Sequence, residues 1–112
     1  MKSSQDPDDA LRLVADPRRQ EILRLAWDGE VAATTLARHF DDITPSAVSQ
    51  HCRKLRDAGL LDVRQGAQDG RTRYYRANKE RLGPLAGYLE AFWRTRLETL
   101  THLAEGMSDE AE

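Results

Sequence analysis

A polar and basic stretch near the middle of the chain carries side chains that suit contact with a nucleic acid. At helical spacing of i, i+3, i+4 and i+7, one face of residues 44–56 presents Ser46, Ser49, Gln50 and Arg53. Hydroxyl, amide and guanidinium groups are the donors and acceptors that pair with base edges and phosphates. On the other side, Val48, Cys52 and Leu55 form an apolar stripe, so the pattern predicts a helix with one buried and one exposed polar face.

This helix has clear signals at both ends. Thr44 is a good N-cap, and Pro45 suits the first helical position. Gly59 is the expected residue just beyond the C-terminal cap, so we predict a helix over residues 44–58. An N-terminus that points outward also favours a phosphate through its free N–H groups. Taken alone, an ordinary surface helix with a polar face is the competing interpretation.

The segment after this helix indicates a two-stranded hairpin. Residues 61–65 alternate apolar and polar, residues 66–71 contain two glycines, and residues 72–77 are rich in strand formers. A helix followed by a hairpin with a basic tip is the layout of a winged helix-turn-helix. The basic side chains of this wing are Arg64, Arg71, Arg73 and Arg76.

The charge of the chain is unevenly distributed. The net charge is −2, but residues 44–76 hold 7 Lys/Arg against 3 Asp/Glu, a local charge of +4. The segments on either side, 1–43 and 77–112, each carry −3. A local field steers a polyanion whatever the overall isoelectric point, so the distribution favours nucleic-acid binding by the predicted helix and wing.

The remaining elements are expected to position this segment. Pro7 opens a first helix, Asp16 and Pro17 begin a second that runs to Asp28, and residues 33–40 form the first helix of the helix-turn-helix. A long helix runs from Pro84 to about Glu105. The fold class is therefore mainly α with a small β-hairpin, as a domain over residues 7–105 between a loose tail (1–6) and an acidic tail (106–112). Residues 30–32 are read either as a short strand or as an extended link.

The long C-terminal helix has more apolar surface than so small a domain needs. We expect it to pair with the first helix and with a copy of itself in a homodimer. The residues assigned to this dimer interface are Leu11, Leu89, Phe92, Trp93, Leu97 and Leu100.

Residues 10–77 resemble the ArsR family of bacterial winged-helix transcriptional repressors, and the C-terminal helix extends the likeness to about residue 104. The likeness is carried, in order, by residues 15–23 (Ala-Asp-Pro-Arg-Arg-Gln-Glu-Ile-Leu), 47–51 (Ala-Val-Ser-Gln-His), 55–60 (Leu-Arg-Asp-Ala-Gly-Leu) and 73–76 (Arg-Tyr-Tyr-Arg). The resemblance implies a homodimer that binds an imperfect inverted repeat in double-stranded DNA and represses by occluding a promoter. The chain departs from the family pattern at Pro45, where a Gln is frequent, at Cys52, where Leu is usual, and in a slightly longer wing turn.

Ten residues are assigned to DNA contact. The helix residues Ser46, Ser49, Gln50 and Arg53 are expected to read bases or fix the register. Phosphate contacts are assigned to Thr44, Lys54, Arg71 and Arg73, with Arg64 in the wing. His51, near the boundary between the two faces, either reaches a phosphate or packs at the edge.

Metal sensing, a well-known activity of this family, is not expected. The resemblance implies a Cys-containing motif on residues 34–40, and that segment has no Cys. The zinc-type site implies ligands at positions 89 and 91, which are Leu89 and Ala91, although His102 and Glu105 match its second half. Three or four converging ligands are needed for zinc, so we expect neither a metal nor another cofactor. Cys52 is read as a core residue, with a redox role as the alternative.

The sequence therefore predicts a DNA-binding transcriptional regulator, most simply a homodimeric repressor, and not an enzyme, because no nucleophile–base or phosphate-loop pattern is present. Two alternatives remain open: a winged-helix module that binds proteins, and a repressor whose small-molecule inducer sits near Phe92 and Trp93. With no apolar run long enough to cross a bilayer, we expect a cytoplasmic protein without a membrane partner.

Overall fold

The structure is a computed structural model that describes residues 7–68 and 70–110, which divide after Leu82 into two units. The first unit contains α1 (Pro7–Val14), α2 (Pro17–Leu25), β1 (Val31–Ala32), α3 (Ala33–His39), α4 (Pro45–Asp57), β2 (Leu61–Gln65), β3 (Arg73–Ala77) and α5 (Lys79–Leu82), and the second is α6 (Pro84–Glu110). The prediction of a mainly helical chain with a small antiparallel sheet is confirmed. The tail predicted at residues 1–6 lies outside the described residues.

Helix α2 begins where the Asp-Pro pair predicts. The Asp16 carboxylate accepts hydrogen bonds from the backbone N–H groups of Arg18 (2.8 Å) and Arg19 (3.2 Å), which satisfies two of the free donors at the helix start. The helix ends at Leu25, three residues earlier than expected. The reason is tertiary, because the Ala26 carbonyl accepts a hydrogen bond from the backbone N–H of Ala77 on β3 (2.9 Å).

The sheet has three strands in the order β1-β3-β2, all antiparallel. The predicted hairpin pairs Leu61 with Ala77 at one end and Gln65 with Arg73 at the other. Residues 31–32, which the sequence left as a strand or a link, form a short strand against Tyr74 and Tyr75. Tyr75 is 4% exposed and Tyr74 is only partly buried, as expected for neighbours on opposite faces of a strand.

The apolar stripe of α4 lies in the core of the first unit. Val48, Cys52 and Leu55 are all at most 3% exposed, which confirms the predicted buried face. The Thr44 hydroxyl accepts from the backbone N–H of Ala47 (3.1 Å) and caps the helix start. At the other end, Gly59 has a φ of +80° and completes a Schellman motif, because its N–H and that of Leu60 donate to carbonyls of the last helical turns.

Helix α6, the second unit, is 27 residues long, or about 40 Å. It continues five residues beyond the predicted end at Glu105, because the acidic segment after that residue contains no proline and a single glycine, Gly106. Leu97 is 66% exposed, and Leu100 and Leu103 are each 57% exposed. In the part of the chain that the structure describes, neither this helix nor any other is long and apolar enough to span a bilayer.

Candidate nucleic-acid interface

The polar face predicted for α4 is solvent-exposed. Ser46, Ser49, Gln50, Arg53 and Lys54 all have exposed side chains, on the side of the helix opposite the buried stripe. The rigid packing of that stripe against the core holds these five groups along one edge of the molecule. An exposed helical face with hydroxyl, amide and guanidinium groups can enter a major groove, which is wide enough for one helix.

A cleft of about 280 Å³ joins α4 to the wing. Ser49 of α4 lines this cleft together with Arg71, which precedes β3, and Arg73, the first residue of β3. Helix and wing residues that are far apart in sequence are thereby brought into one surface. The cleft also has two hydroxyl groups that the sequence did not single out, on Thr34 of α3 and Thr72 of the wing.

The basic residues of this surface differ in whether an acidic side chain already pairs with them. Among the described residues, no ion pair engages Arg53, Lys54 or Arg73. Arg56, one turn further along α4, lies 3.1 Å from the carboxylate of Asp57. The two arginines and the lysine without an ion pair are thus the cations most available to a phosphate or a base.

Arg64 of the wing is already engaged within the molecule. Its guanidinium makes two hydrogen bonds to the Glu30 carboxylate, from Nε (2.8 Å) and from Nη2 (2.9 Å). It also lies over the ring of Tyr74, 4.7 Å from the ring centre, an arrangement that adds a cation–π attraction. The hydrogen bonds from Arg64 lower the pKa of Glu30. A DNA contact by Arg64 therefore stays a prediction, and it would compete with Glu30.

For His51 the sequence left two interpretations open, contact with a phosphate and packing at the edge of the helix. Its imidazole is partly buried, and its Nδ1 atom lies 3.2 Å from the guanidinium of Arg19 on α2. Partial burial lowers the pKa of His51; the charge of Asp16 opposes this shift, and those of Arg19, Lys54 and Arg18 reinforce it. The structure thus gives His51 a partner within the chain, while its contact with a phosphate stays a prediction.

Cys52 forms part of the wall of the cleft but is almost fully buried, with 1% of its surface exposed. Burial raises the pKa of its thiol from 9.0 to about 11, and the charge of Arg73 opposes the shift only in part. A buried, protonated thiol is a poor nucleophile, so this environment fits the reading of Cys52 as a core residue.

The partial zinc motif on α6 lies on an exposed part of that helix. His102 and Glu105 are both exposed. Among the side chains that the structure describes, those of residues 9–68 and 70–106, no group of three or more His, Cys, Asp or Glu is placed to hold a metal ion. Independence from zinc remains a prediction.

Sequence reasoning missed the residues that hold the predicted ones in place. Glu30 fixes Arg64, and Arg19 fixes His51, over separations of 34 and 32 residues. The helix and strand patterns gave no sign of these pairs, because each depends on how two separate elements pack. The ion pair between Glu30, the residue before β1, and Arg64 of β2 can be recognised only once the strand order is known.

Comparison with known proteins points to the class that the sequence predicts, a DNA-binding transcriptional regulator. A model described as a helix-turn-helix domain matches residues 14–64. The chain is 31% identical to the HTH-type transcriptional regulator Rv2034 of Mycobacterium tuberculosis, over 98% of this chain and 99% of that protein. It is 36% identical to the arsenical resistance operon repressor of Staphylococcus xylosus over 62% of this chain and 64% of that protein.

A solved structure shows the same fold. The ArsR-like transcriptional regulator from Rhodococcus sp. RHA1 superimposes with a TM-score of 0.60 at 25% identity, covering 88% of this chain and 90% of that one. Together with the exposed polar face of α4 and the wing, these likenesses define a winged helix-turn-helix, DNA-binding transcriptional regulator. The chain belongs to the ArsR family of transcriptional repressors.

Proposed function

We propose that the protein is a homodimeric repressor that binds an inverted repeat in double-stranded DNA, with α4 of each subunit in the major groove. The observation that carries this proposal is the cleft that Ser49 of α4 lines together with Arg71 and Arg73 of the wing. A helix in the groove and a basic wing beside it then contact DNA together. The two recognition helices would sit roughly 34 Å apart, one turn of the double helix.

Within this proposal the α4 residues read sequence. Gln50 and Arg53 lie in the middle of the exposed face, where their long side chains reach base edges. An amide pairs with adenine and a guanidinium with guanine through two hydrogen bonds each. Ser46 and Ser49 have short hydroxyl side chains, so they fix the register or contact either base type.

Phosphate contacts come from the edges of the same surface. Lys54 and Arg73 have no ion pair among the described residues, so neither must break one to bind a phosphate. Thr44 accepts a hydrogen bond from the Ala47 N–H, but its own O–H remains a donor that a phosphate oxygen can accept. Arg71 completes this set at the wing.

We assign dimerisation to the apolar surface of α6 and to Leu11 of α1. Leu11 is 55% exposed, Phe92 is 39% exposed, and Leu97 and Leu100 are more exposed still, which is unusual for apolar side chains of this size unless a partner covers them. Leu89, also assigned to the interface from the sequence, is 1% exposed in the single chain and has little surface left to offer. Leu103 shares the exposed face and takes its place in the proposed interface.

The same proposal places the protein in the cytoplasm, where bacterial promoters are accessible, and assigns it no catalytic step. Its regulatory effect would arise from occupancy of DNA alone. The exposed polar face of α4 supports this reading, because it offers groups that bind bases and phosphates.

A binding experiment separates this function from a module that binds only proteins. The protein is titrated into labelled random duplex DNA at low salt, and bound duplexes are then recovered and amplified through successive rounds. A DNA-binding repressor gives retarded complexes at low salt, followed by enrichment of a palindromic sequence. Absence of any complex at low salt would refute the proposal.

A further inference from the structure

One guanidinium, that of Arg19 on α2, contacts both α1 and α4. The Nε atom of Arg19 donates to the carbonyl of Leu13 at the end of α1 (2.8 Å). The same group lies 3.8 Å from the carboxylate of Asp16, which caps α2. Its Nη1 atom lies 3.2 Å from Nδ1 of His51 on α4. The Arg19 side chain is only 13% exposed, so this arrangement is part of the packed structure and not a surface contact.

The chemistry of the contact fixes the state of the imidazole. A guanidinium has donors only, so Nδ1 of His51 must accept the hydrogen bond. The imidazole is then neutral and carries its single proton on Nε2. A protonated His51 would have N–H groups on both ring nitrogens and could not accept from Arg19.

Beyond DNA binding itself, we propose that His51 is a positioning residue, whose neutral imidazole holds α4 in the rotation that presents Gln50 and Arg53 to DNA. The buried stripe of α4 determines which side of the helix faces the core, but apolar contacts have little directionality. A hydrogen bond to Arg19 does have a direction, and it acts at the position next to Gln50 and two before Arg53. This inference rests on the proposed function, because it concerns how that function becomes sequence-specific.

Because His51 can be protonated, the hydrogen bond between Arg19 and His51 should depend on pH. The charged groups that face His51 are Asp16, Arg18 and Arg19 from α2 and Lys54 from its own helix. Protonation removes the acceptor and places a second positive charge beside Arg19, while Asp16 offsets this only in part. Because the pKa of His51 is lowered in the fold, its contribution to stability is complete above about pH 6.5 and declines as the pH falls through the lower folded value.

The contact can be tested without DNA. Long-range ¹H–¹⁵N spectra of labelled protein report the tautomer and titration of each histidine, and a His51→Asn variant assigns the His51 signals. We expect a proton on Nε2 at pH 7.5 and a His51 pKa below the ordinary value of a histidine, about 6.5. A proton on Nδ1, or a His51 pKa at or above that ordinary value, would overturn the inference whatever the protein binds.

The positioning role is tested on DNA recovered by in vitro selection from a random duplex library. The quantity measured, from pH 7.5 to pH 5.0, is the affinity for the selected duplex divided by the affinity for a scrambled duplex. The protein gains positive charge in acid and binds both duplexes more tightly, and this general effect cancels in the ratio. In the unmodified protein we expect this ratio to fall by roughly tenfold as the hydrogen bond to Arg19 is lost. The His51→Asn variant keeps an acceptor near the Nδ1 position but does not titrate, so its ratio should stay high at both pH values.

Two further variants complete the design. The His51→Leu variant lacks the acceptor, so we expect a low ratio that does not change with pH. The His102→Asn variant removes an exposed histidine on α6 and should keep the pH profile of the unmodified protein. An identical pH profile in the unmodified and His51→Asn proteins would refute the positioning role. If no duplex is enriched at all, the proposed function fails and the positioning role with it, while the spectra still report the contact.

Discussion

Cys52 shows at the scale of one residue how burial decides reactivity. Its thiol is 1% exposed, and burial raises its pKa to about 11. At neutral pH the group is therefore a protonated core side chain. Since the folded pKa exceeds the unfolded value of 9.0, its contribution to stability is complete below that pH and is lost as the pH rises through the folded value.

We expect Cys52 in the folded protein to resist alkylation by iodoacetamide at pH 7.5, because the thiolate is the nucleophile and both exposure and thiolate fraction are low. The measurement is the labelled fraction over time by mass spectrometry. The same protein in urea is the control and should label fully. Folded protein that labels as fast as the urea-treated sample would show that Cys52 is open to reagents, which would favour the alternative of redox sensing.

The residue types suited to DNA contact can be recognised in the sequence, but whether each side chain is available for such contact cannot. Arg64 and Arg73 are both wing arginines with the same predicted role. Only the strand order reveals that Arg64 crosses Tyr74 to reach Glu30, whereas Arg73 has no ion pair among the described residues. The difference depends on β1, whose two residues carry too weak a pattern to predict as a strand.

The wing offers a prediction at the scale of the element. Replacing Glu30 with Gln removes the negative charge that holds Arg64 and leaves Arg64 available to a phosphate. We expect Glu30→Gln to strengthen binding to any duplex by a few-fold at low salt and to steepen the salt dependence by about one unit per subunit.

The matched controls for this prediction are Arg64→Ala and the double variant Glu30→Gln/Arg64→Ala. Arg64→Ala alone should weaken binding less than Arg73→Ala does, since Arg64 must first leave Glu30. The double variant should lose the gain seen with Glu30→Gln. A gain that persists without Arg64 would mean that Glu30 repels DNA directly and does not act through Arg64.

The turn after α4 gives a second prediction at this scale. Gly59 has a φ of +80°, and a Cβ placed there would lie 3.0 Å from Nε of Arg81. We expect Gly59→Ala to lower the free energy of unfolding by about 1–2 kcal/mol, because a residue other than Gly is strained at positive φ. Gly29→Ala is the control, since a Cβ at that position would meet no atom within 4 Å and the φ of Gly29 is not in that region. Urea unfolding of both variants checks this, and equal midpoints would contradict it.

The ends of helices could be predicted from sequence where the groups that fix them lie within a few residues of each other. The caps at Asp16, Thr44 and Gly59 use backbone groups within a few residues, and all three lie where the sequence places them. The end of α2 was wrong by three residues because the Ala26 carbonyl bonds to β3, which is distant in sequence. The end of α6 was also wrong, because acidic composition by itself does not stop a helix.

For the molecule as a whole, the proposed repressor requires a partner subunit that covers the apolar face of α6. Leu100 is 57% exposed in the single chain. We expect Leu100→Glu to raise the dimer dissociation constant at least a hundredfold, because it places an unpaired charge in the interface. Leu100 is a cleaner test than Trp93, which is partly buried and already has an interaction within the chain.

Sedimentation of this variant across a concentration series measures the effect. His102→Glu is the matched control, since it adds the same charge about 200° around the helix from Leu100, at 100° per residue. It should remain a dimer at concentrations where Leu100→Glu is monomeric. Equal sedimentation of Leu100→Glu and the unmodified protein would remove α6 from the interface.

The proposed repressor divides DNA recognition between α4, which reads the sequence, and the wing, which holds the phosphates. Arg53→Ala and Arg73→Ala are each titrated into the selected duplex and a scrambled duplex over a salt series. Loss of a base contact costs about 1–3 kcal/mol on the selected duplex and much less on the scrambled one, whereas loss of a phosphate contact weakens both and reduces the salt slope by about one. A dimer applies each loss twice per operator. We predict the first pattern for Arg53→Ala and the second for Arg73→Ala; the reverse assignment would contradict this division of roles.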